Sequence, residues 1–405
     1  MKAALNPAQR PVIADAAFDW VPRSLYVHIP FCKSRCFYCD FTTHVAPKAR
    51  IESYVSALEQ EFALLATQAT EPLQTVFFGG GTPTLLSSEQ LERVLTALRR
   101  HFALAESAEV TMEANPGTLD AQKLQVLSEF GVNRLSIGGQ TFNDRLLLAL
   151  GRTHEAKTTL SSVELAKEAG FKRINVDLMF GLPEQSLQDV EESVSALVSS
   201  DVEHISAYWL KVEEGTPFAK WKQSGALVLP GEDLEGEMYS RVREMLRQSG
   251  YEHYEVSNFA KPGGQAEHNL VYWRNEPYFA AGVGSHGYVQ GVRYENVKQL
   301  ALYEQQLANG ERPIREQFDV TAGEACEDTM MLGLRLAEGV NKHRFRARHG
   351  ADLEQVFGSV ISPLLNKGLL EWRGPRLCLT EQAWPIGNLV FEEFVGTGLT
   401  TGLVD

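Results

Sequence analysis

Strand-like apolar runs alternate with helix-length segments through the first half of this chain, and that alternation restricts its fold more than any other feature. The runs fall at residues 25–29, 75–78, 109–114, 134–137, 174–179 and 204–210. Between them lie segments such as IESYVSALEQEFALLA and SSEQLERVLTALRRHF, whose apolar residues recur three and four positions apart, as one buried helix face requires. Strands joined by helices pair in parallel, so the expected class is α/β. Six units are fewer than a closed barrel uses, and the expectation is an open, partial (β/α)6 barrel with its ligands at the C-terminal strand ends.

Those ends hold the residues that can do chemistry. Directly after the first run, YVHIPFCKSRCFYCDF places Cys32, Cys36 and Cys39 in a C-x3-C-x2-C triplet. Thiolates are soft ligands that select iron–sulfur clusters or zinc. Structural zinc sites close with four protein ligands, so a triplet points instead to a 4Fe–4S cluster with one iron left open. The second run ends in FFGGGTPT, where consecutive glycines permit positive backbone angles and close approach of the main chain to a ligand, or simply a turn. Glu113 ends the third run, Gln140 and Arg152 follow the fourth, and Asp177 lies late in the fifth. A carboxylate at such a place can accept hydrogen bonds from a ribose or an ammonium group, or it can be merely solvated.

At these positions the chain resembles the radical S-adenosylmethionine (SAM) enzymes, which carry C-x3-C-x2-C in the first loop of a βα barrel. YVHIPFC, FFGGGTPT and NVDLMFGLP at 175–183 are similar to the branch that contains oxygen-independent coproporphyrinogen III oxidase, HemN, and its relative HemW. The resemblance spans nearly the whole chain. It implies that Cys32, Cys36 and Cys39 ligate a 4Fe–4S cluster whose open iron takes the amino and carboxylate groups of SAM. It implies further SAM contacts at Tyr26, Gly80, Gly81, Thr82 and Glu113, and at Tyr38, Gln140, Arg152 and Asp177 around a second SAM.

Two departures set the chain apart from the oxidase. Phe41 stands where HemN has a further cysteine, and only about 24 residues precede the first strand, where HemN has a longer extension that helps to form its substrate site. Residues 268–288, HNLVYWRNEPYFAAGVGSHGY, contain an H-N-x-x-Y-W pattern similar to the signature of the haem-chaperone branch. That similarity implies haem, with His268 and Tyr272 as the first residues to consider and His286 next. The same His-Asn pair among aromatics also suits a satisfied, hydrogen-bonded core. The leading expectation is a haem chaperone on a radical SAM scaffold, delivering haem to an acceptor protein. The alternatives are an oxygen-independent coproporphyrinogen III oxidase and a radical SAM enzyme of unrelated substrate, because cluster and SAM motifs do not define the substrate. No catalytic residue is singled out. A flavodoxin- or ferredoxin-type protein is the electron donor that such a scaffold would use.

The net charge of −14 over 405 residues argues against a broad nucleic-acid surface. No run approaches the ~18 apolar residues of a membrane span. The start has neither a signal-peptide core nor transit character, so the cytoplasm is expected. Cys326 and Cys378 stand apart and read as inert core thiols. The expected organisation is an N-terminal extension over 1–23, the barrel over 24–255, a connecting region with the H-N-x-x-Y-W motif over 256–318, and a C-terminal domain over 319–405. In the last, Thr321 caps a helix, LEQVFGSVISPLLNKG forms a second and LLEWRGPRLCLT a hairpin, an arrangement that resembles the winged-helix-like terminal domain of HemN.

Overall fold

The computed structural model describes residues 21–397, so most of the expected N-terminal extension lies outside the described residues. The six strands read from the sequence are all present: Ser24–Ile29 (β1), Leu73–Gly80 (β2), Leu104–Ala114 (β3), Arg134–Gln140 (β4), Arg173–Phe180 (β5) and His204–Trp209 (β6). They pair in parallel in chain order, and helices fill the connections. The helix Ser88–His101 is fixed at its start by a capping box, Ser87 with Gln90.

Strand side chains alternate between the two faces of a sheet, and the register shows what each face holds. Leu25 pairs with Val76 and Val76 with Val110, an apolar row buried under the helices. The opposite face is polar: Ser24, Thr75 and Glu109 form one row, and Glu113, Ser136, Asn175 and His204 another. Apart from Glu113, each of these polar side chains is buried. The lumen of the barrel is therefore a hydrogen-bonding interior.

Three further strands lengthen the open sheet at both edges. Glu252–Glu255 (β7) and Asn258–Ala260 (β8) run antiparallel beyond β6, and Phe279–Ala281 (β9) lies parallel beside β1. The order is β7-β8-β6-β5-β4-β3-β2-β1-β9. Segment 256–318 thus supplies the strand next to one sheet edge, β8, and the strand at the other edge, β9. It also contains His286–Val289 (β10) and Val292–Asn296 (β11), which form a small antiparallel sheet with Ile314–Asp319 (β12).

In the C-terminal region, helices Ala322–Gly333, Lys342–His349 and Leu353–Asn366 accompany the short strands Val340–Asn341 (β13), Leu370–Arg373 (β14) and Arg376–Leu379 (β15). The hairpin β14–β15 is the wing expected from sequence. Thr321 caps its helix as expected: its hydroxyl accepts from the Glu324 N–H, and the Glu324 carboxylate accepts from the Thr321 N–H. The helix Lys342–His349 has no apolar stripe in KHRFRARH to announce it. Among the described residues, no helix is long and apolar enough to cross a membrane.

Candidate functional site at the mouth of the barrel

The cysteine loop leaves the C-terminal end of β1 and is held down by its own main chain. The His44 N–H donates to Pro30 O (2.6 Å) and the Cys32 N–H to His44 O (3.0 Å). Phe37, inside the triplet, packs on Trp221 with ring centroids 5.0 Å apart, and its N–H donates to Leu150 O. Cys32, Cys36 and Cys39 are partly exposed free thiols. Among the described residues, no three His, Cys, Asp or Glu side chains converge on one ion position.

A cavity of about 330 Å³ opens between this loop and the strand ends. The three cysteines and Tyr38 form its loop wall. Gly80, Gly81, Glu113, Gln140, Arg152 and Asp177 face it from the barrel. Phe41 also lines it, 60 % exposed, as does Tyr208, 40 % exposed. Thr82 lies behind, buried and hydrogen-bonded to Asn115, and Tyr26 turns its hydroxyl to His28 Nδ1 (3.0 Å). Asn115, Ser136 and Tyr208 were not read from the sequence, although Asn115 stands two residues after Glu113, the spacing that returns a strand to the same face.

The glycines serve two close approaches. A Cβ on Gly80, at φ +107°, would stand 2.4 Å from the His28 ring, and one on Gly81 would stand 2.7 Å from Phe31 O of the cysteine loop. The Gly80 N–H donates to Glu113 Oε2 (3.0 Å), which locks the second and third strand ends together. Gln140 takes φ 67°, a left-handed conformation that costs an ordinary side chain about 1–2 kcal/mol.

Charge in this cavity is held at a premium. Burial, and then the nearby Asp177, push the Glu113 carboxyl up to about 8, against the Gly80 hydrogen bond. Burial also raises Asp177. Cys32 is pushed up to about 11 by burial, partly offset by Thr82. Burial lowers the Arg152 pKa, but Tyr38, Cys36 and Asp177 more than reverse that, so the guanidinium stays charged. Its Nε is buried without a partner. Two buried acids with raised pKa values and a guanidinium with a spare donor suit a ligand carrying both an ammonium and a carboxylate, and thiols beside them suit a cluster.

The H-N-x-x-Y-W segment is arranged otherwise. It forms the short helix Glu267–Trp273, lodged against the lumen face of the barrel. Glu109 accepts from the N–H groups of Glu267 (3.1 Å) and His268 (3.0 Å), an anion at a helix N-terminus, while Arg173 holds the carboxylate at 3.0 Å. His268 is 1 % exposed and stacks on Phe77. The hydroxyl of Thr75 is already directed at Ser24, so it accepts from His268 Nδ1 (2.7 Å), and His268 Nε2 accepts from the Tyr272 hydroxyl (2.9 Å). Burial drives this imidazole down to about 3, so it is neutral. In this arrangement neither His268 nor Tyr272 faces the mouth cavity, and both are hydrogen-bonded within the core, whereas Trp273 Nε1 of the same motif is buried without a partner. His286 begins β10 with its side chain 63 % exposed.

Comparison with known proteins agrees with this architecture. The model of the Radical SAM superfamily matches residues 26–197, and that of the HemN C-terminal domain matches residues 320–386. The chain is 44 % identical over 376 residues to "Heme chaperone HemW" of Bacillus subtilis (strain 168), covering 92 % of this chain and 99 % of that protein. It is 35 % identical over 356 residues to "Heme chaperone HemW" of Escherichia coli (strain K12), covering 86 % and 91 %. The solved structure of coproporphyrinogen III oxidase (HemN) from Escherichia coli superposes with a TM-score of 0.81 at 23 % identity, over 94 % of this chain and 92 % of that one.

Proposed function

Because this chain belongs to the radical SAM superfamily and, within it, to the HemW family, we propose that it is a haem chaperone that binds haem and passes it to an acceptor protein. The similarity to proteins named haem chaperones over nearly their full length carries the reading. Phe41, in place of the further cysteine that the resemblance assigns to the oxidase, supports it against decarboxylation of coproporphyrinogen III.

In this reading Cys32, Cys36 and Cys39 hold a 4Fe–4S cluster and the mouth cavity holds SAM. When bound, that pair supplies one-electron reductive cleavage of a carbon–sulfur bond. The chain's own residues bind and orient. Glu113 and Asp177 receive an ammonium or ribose hydroxyls, Arg152 offers donors to a carboxylate, and Gly80 and Gly81 bring the main chain to the cavity wall. Tyr38 and Gln140 complete the wall.

For the haem cargo, the exposed aromatic faces of Phe41 and Tyr208 beside the cavity are suitable flanks for a macrocycle. His286 is accessible as an axial ligand. His268, with Tyr272, becomes available only if their helix leaves the barrel. A small electron-transfer protein of flavodoxin or ferredoxin type would reduce the cluster. Anaerobic titration of the reconstituted protein with haem, run beside an assay for coproporphyrinogen III turnover, tests the reading. Stoichiometric haem binding without turnover supports the chaperone; catalytic turnover without tight haem binding sinks it.

A further inference from the structure

A chain of hydrogen bonds runs from the buried Arg152 cation to the first cysteine of the triplet. Arg152 Nη1 donates to Asn115 Oδ1 (2.8 Å), Asn115 Nδ2 donates to Thr82 Oγ1 (2.7 Å), and Thr82 Oγ1 stands 3.9 Å from Cys32 Sγ. The second guanidinium nitrogen, Nη2, donates to the Tyr38 hydroxyl (3.0 Å).

The direction of every link is forced. A guanidinium can only donate, so the Asn115 amide must turn its oxygen toward Arg152 and its nitrogen toward Thr82. That nitrogen can only donate, so the Thr82 oxygen accepts and its hydrogen is left for the sulfur. Thr82 is 2 % exposed, which keeps water from competing for that hydrogen. Strand β4 leaves room for the relay: a Cβ on Gly138 would stand 3.0 Å from Asn115 Oδ1 and 3.3 Å from Arg152 Nη2.

We propose that Asn115 is a positioning residue for the cluster, relaying the charge of Arg152 through Thr82 to the Cys32 sulfur. This rests on the cluster reading above and extends it to residues outside the cysteine triplet. A donor aimed at a cluster sulfur stabilises the more negative, reduced state and so raises the midpoint potential. It also orients the first thiolate before iron arrives. Tyr38 joins the same guanidinium to the stretch between Cys36 and Cys39, so one cation braces both ends of the triplet.

The test is an EPR-monitored redox titration of full-length protein, reconstituted anaerobically without SAM, with iron content measured on each sample. Thr82→Val keeps the shape and removes the hydroxyl; Asn115→Leu removes the link to Arg152. Both are expected to lower the midpoint potential, by up to about tenfold in the one-electron equilibrium, or ~59 mV. Thr82→Ser, which retains the hydroxyl, is expected to restore the wild-type value, a rescue that a packing role alone would not produce. A full cluster at wild-type potential in Thr82→Val overturns the relay. If Asn115→Leu fails to fold, the two Thr82 variants decide the matter. Wild-type protein that takes up no cluster would overturn the radical SAM reading and the relay together, a result distinct from an unshifted variant.

Discussion

The cysteine loop and the H-N-x-x-Y-W helix are both dense in chemically able side chains, yet they are in opposite physical states. At the mouth, acids are crowded without a cation in contact, a guanidinium nitrogen lacks a partner and an aromatic ring stands in solvent. In the motif helix, both ring nitrogens of His268 are engaged and the helix N-terminus is capped by a buried carboxylate, although Trp273 Nε1 at its end is buried without a hydrogen-bond partner. Unfinished hydrogen bonding marks a place where a ligand completes the structure. Finished hydrogen bonding marks a place where the chain has completed it already. A residue type that can ligate is therefore not evidence of ligation until its partners are counted.

The largest effect should come from the unfinished side. Cys36→Ala should abolish the charge-transfer absorption and iron content of the reconstituted protein, because two thiolates cannot retain the cubane. Its melting temperature as apoprotein should stay near wild type, since Cys36 is partly exposed and takes part in no buried core. Retained iron would break the assignment.

On the finished side the signs reverse. His268→Ala should destabilise the apoprotein by about 2–4 kcal/mol in urea unfolding, through a cavity beside Phe77 and the loss of the partners of Thr75 and Tyr272. Molecules that remain folded should still take up iron. A fully stable His268→Ala protein that has lost haem affinity would show instead that the helix leaves the barrel when haem arrives.

The next effect is one of pH. The folded Glu113 pKa, about 8, lies above the unfolded value of about 4.3, so the folded state holds this proton more tightly. Its contribution to stability is complete below the unfolded value and is lost as pH rises through about 8. Glu113→Gln cannot ionise, so its apoprotein should melt ~2–4 °C above wild type in the alkaline range and no higher in acid. Equal slopes of melting temperature against pH would show that the carboxyl is better solvated than its burial suggests. A cationic ligand beside Glu113 would reverse the sign by favouring the ionised form.

How much of this was legible follows the same division. The strands and their C-terminal ends were readable because apolar runs and helical spacing are local, and the cysteines and glycines fall at those ends by chain order alone. The polar lumen was not. Thr75, Glu109 and His204 open or interrupt apolar runs, and the partners that satisfy them come from far away, as when Glu109 caps a helix 158 residues later. For the motif itself, the four-residue spacing of His268 and Tyr272 puts them on one helix face. Which surface that face meets depends on β2 and β3, and no local pattern encodes it. Asn115 was within reach of period-two reasoning from Glu113, but its value lies in joining Arg152 to Thr82, a relation visible only in three dimensions.

The smallest effect on the fold, and the sharpest test of the comparison, belongs to His286. Its side chain is 63 % exposed and lies 3.6 Å from Glu295 Oε1, a contact that Lys298 and Arg315 also make with the same carboxylate. Removing one exposed member of such a group should change stability by no more than about 0.5 kcal/mol. Burial lowers the His286 pKa, with Glu295 opposing, so near neutrality the ring is in the unprotonated form that can bind iron. His286→Ala should therefore weaken haem binding at an unchanged melting temperature, the reverse of the pattern for His268→Ala. If haem affinity is unchanged in His286→Ala, accessibility alone does not select the ligand, and the buried helix regains its claim through a movement that hydrogen exchange at residues 267–273 should detect on adding haem.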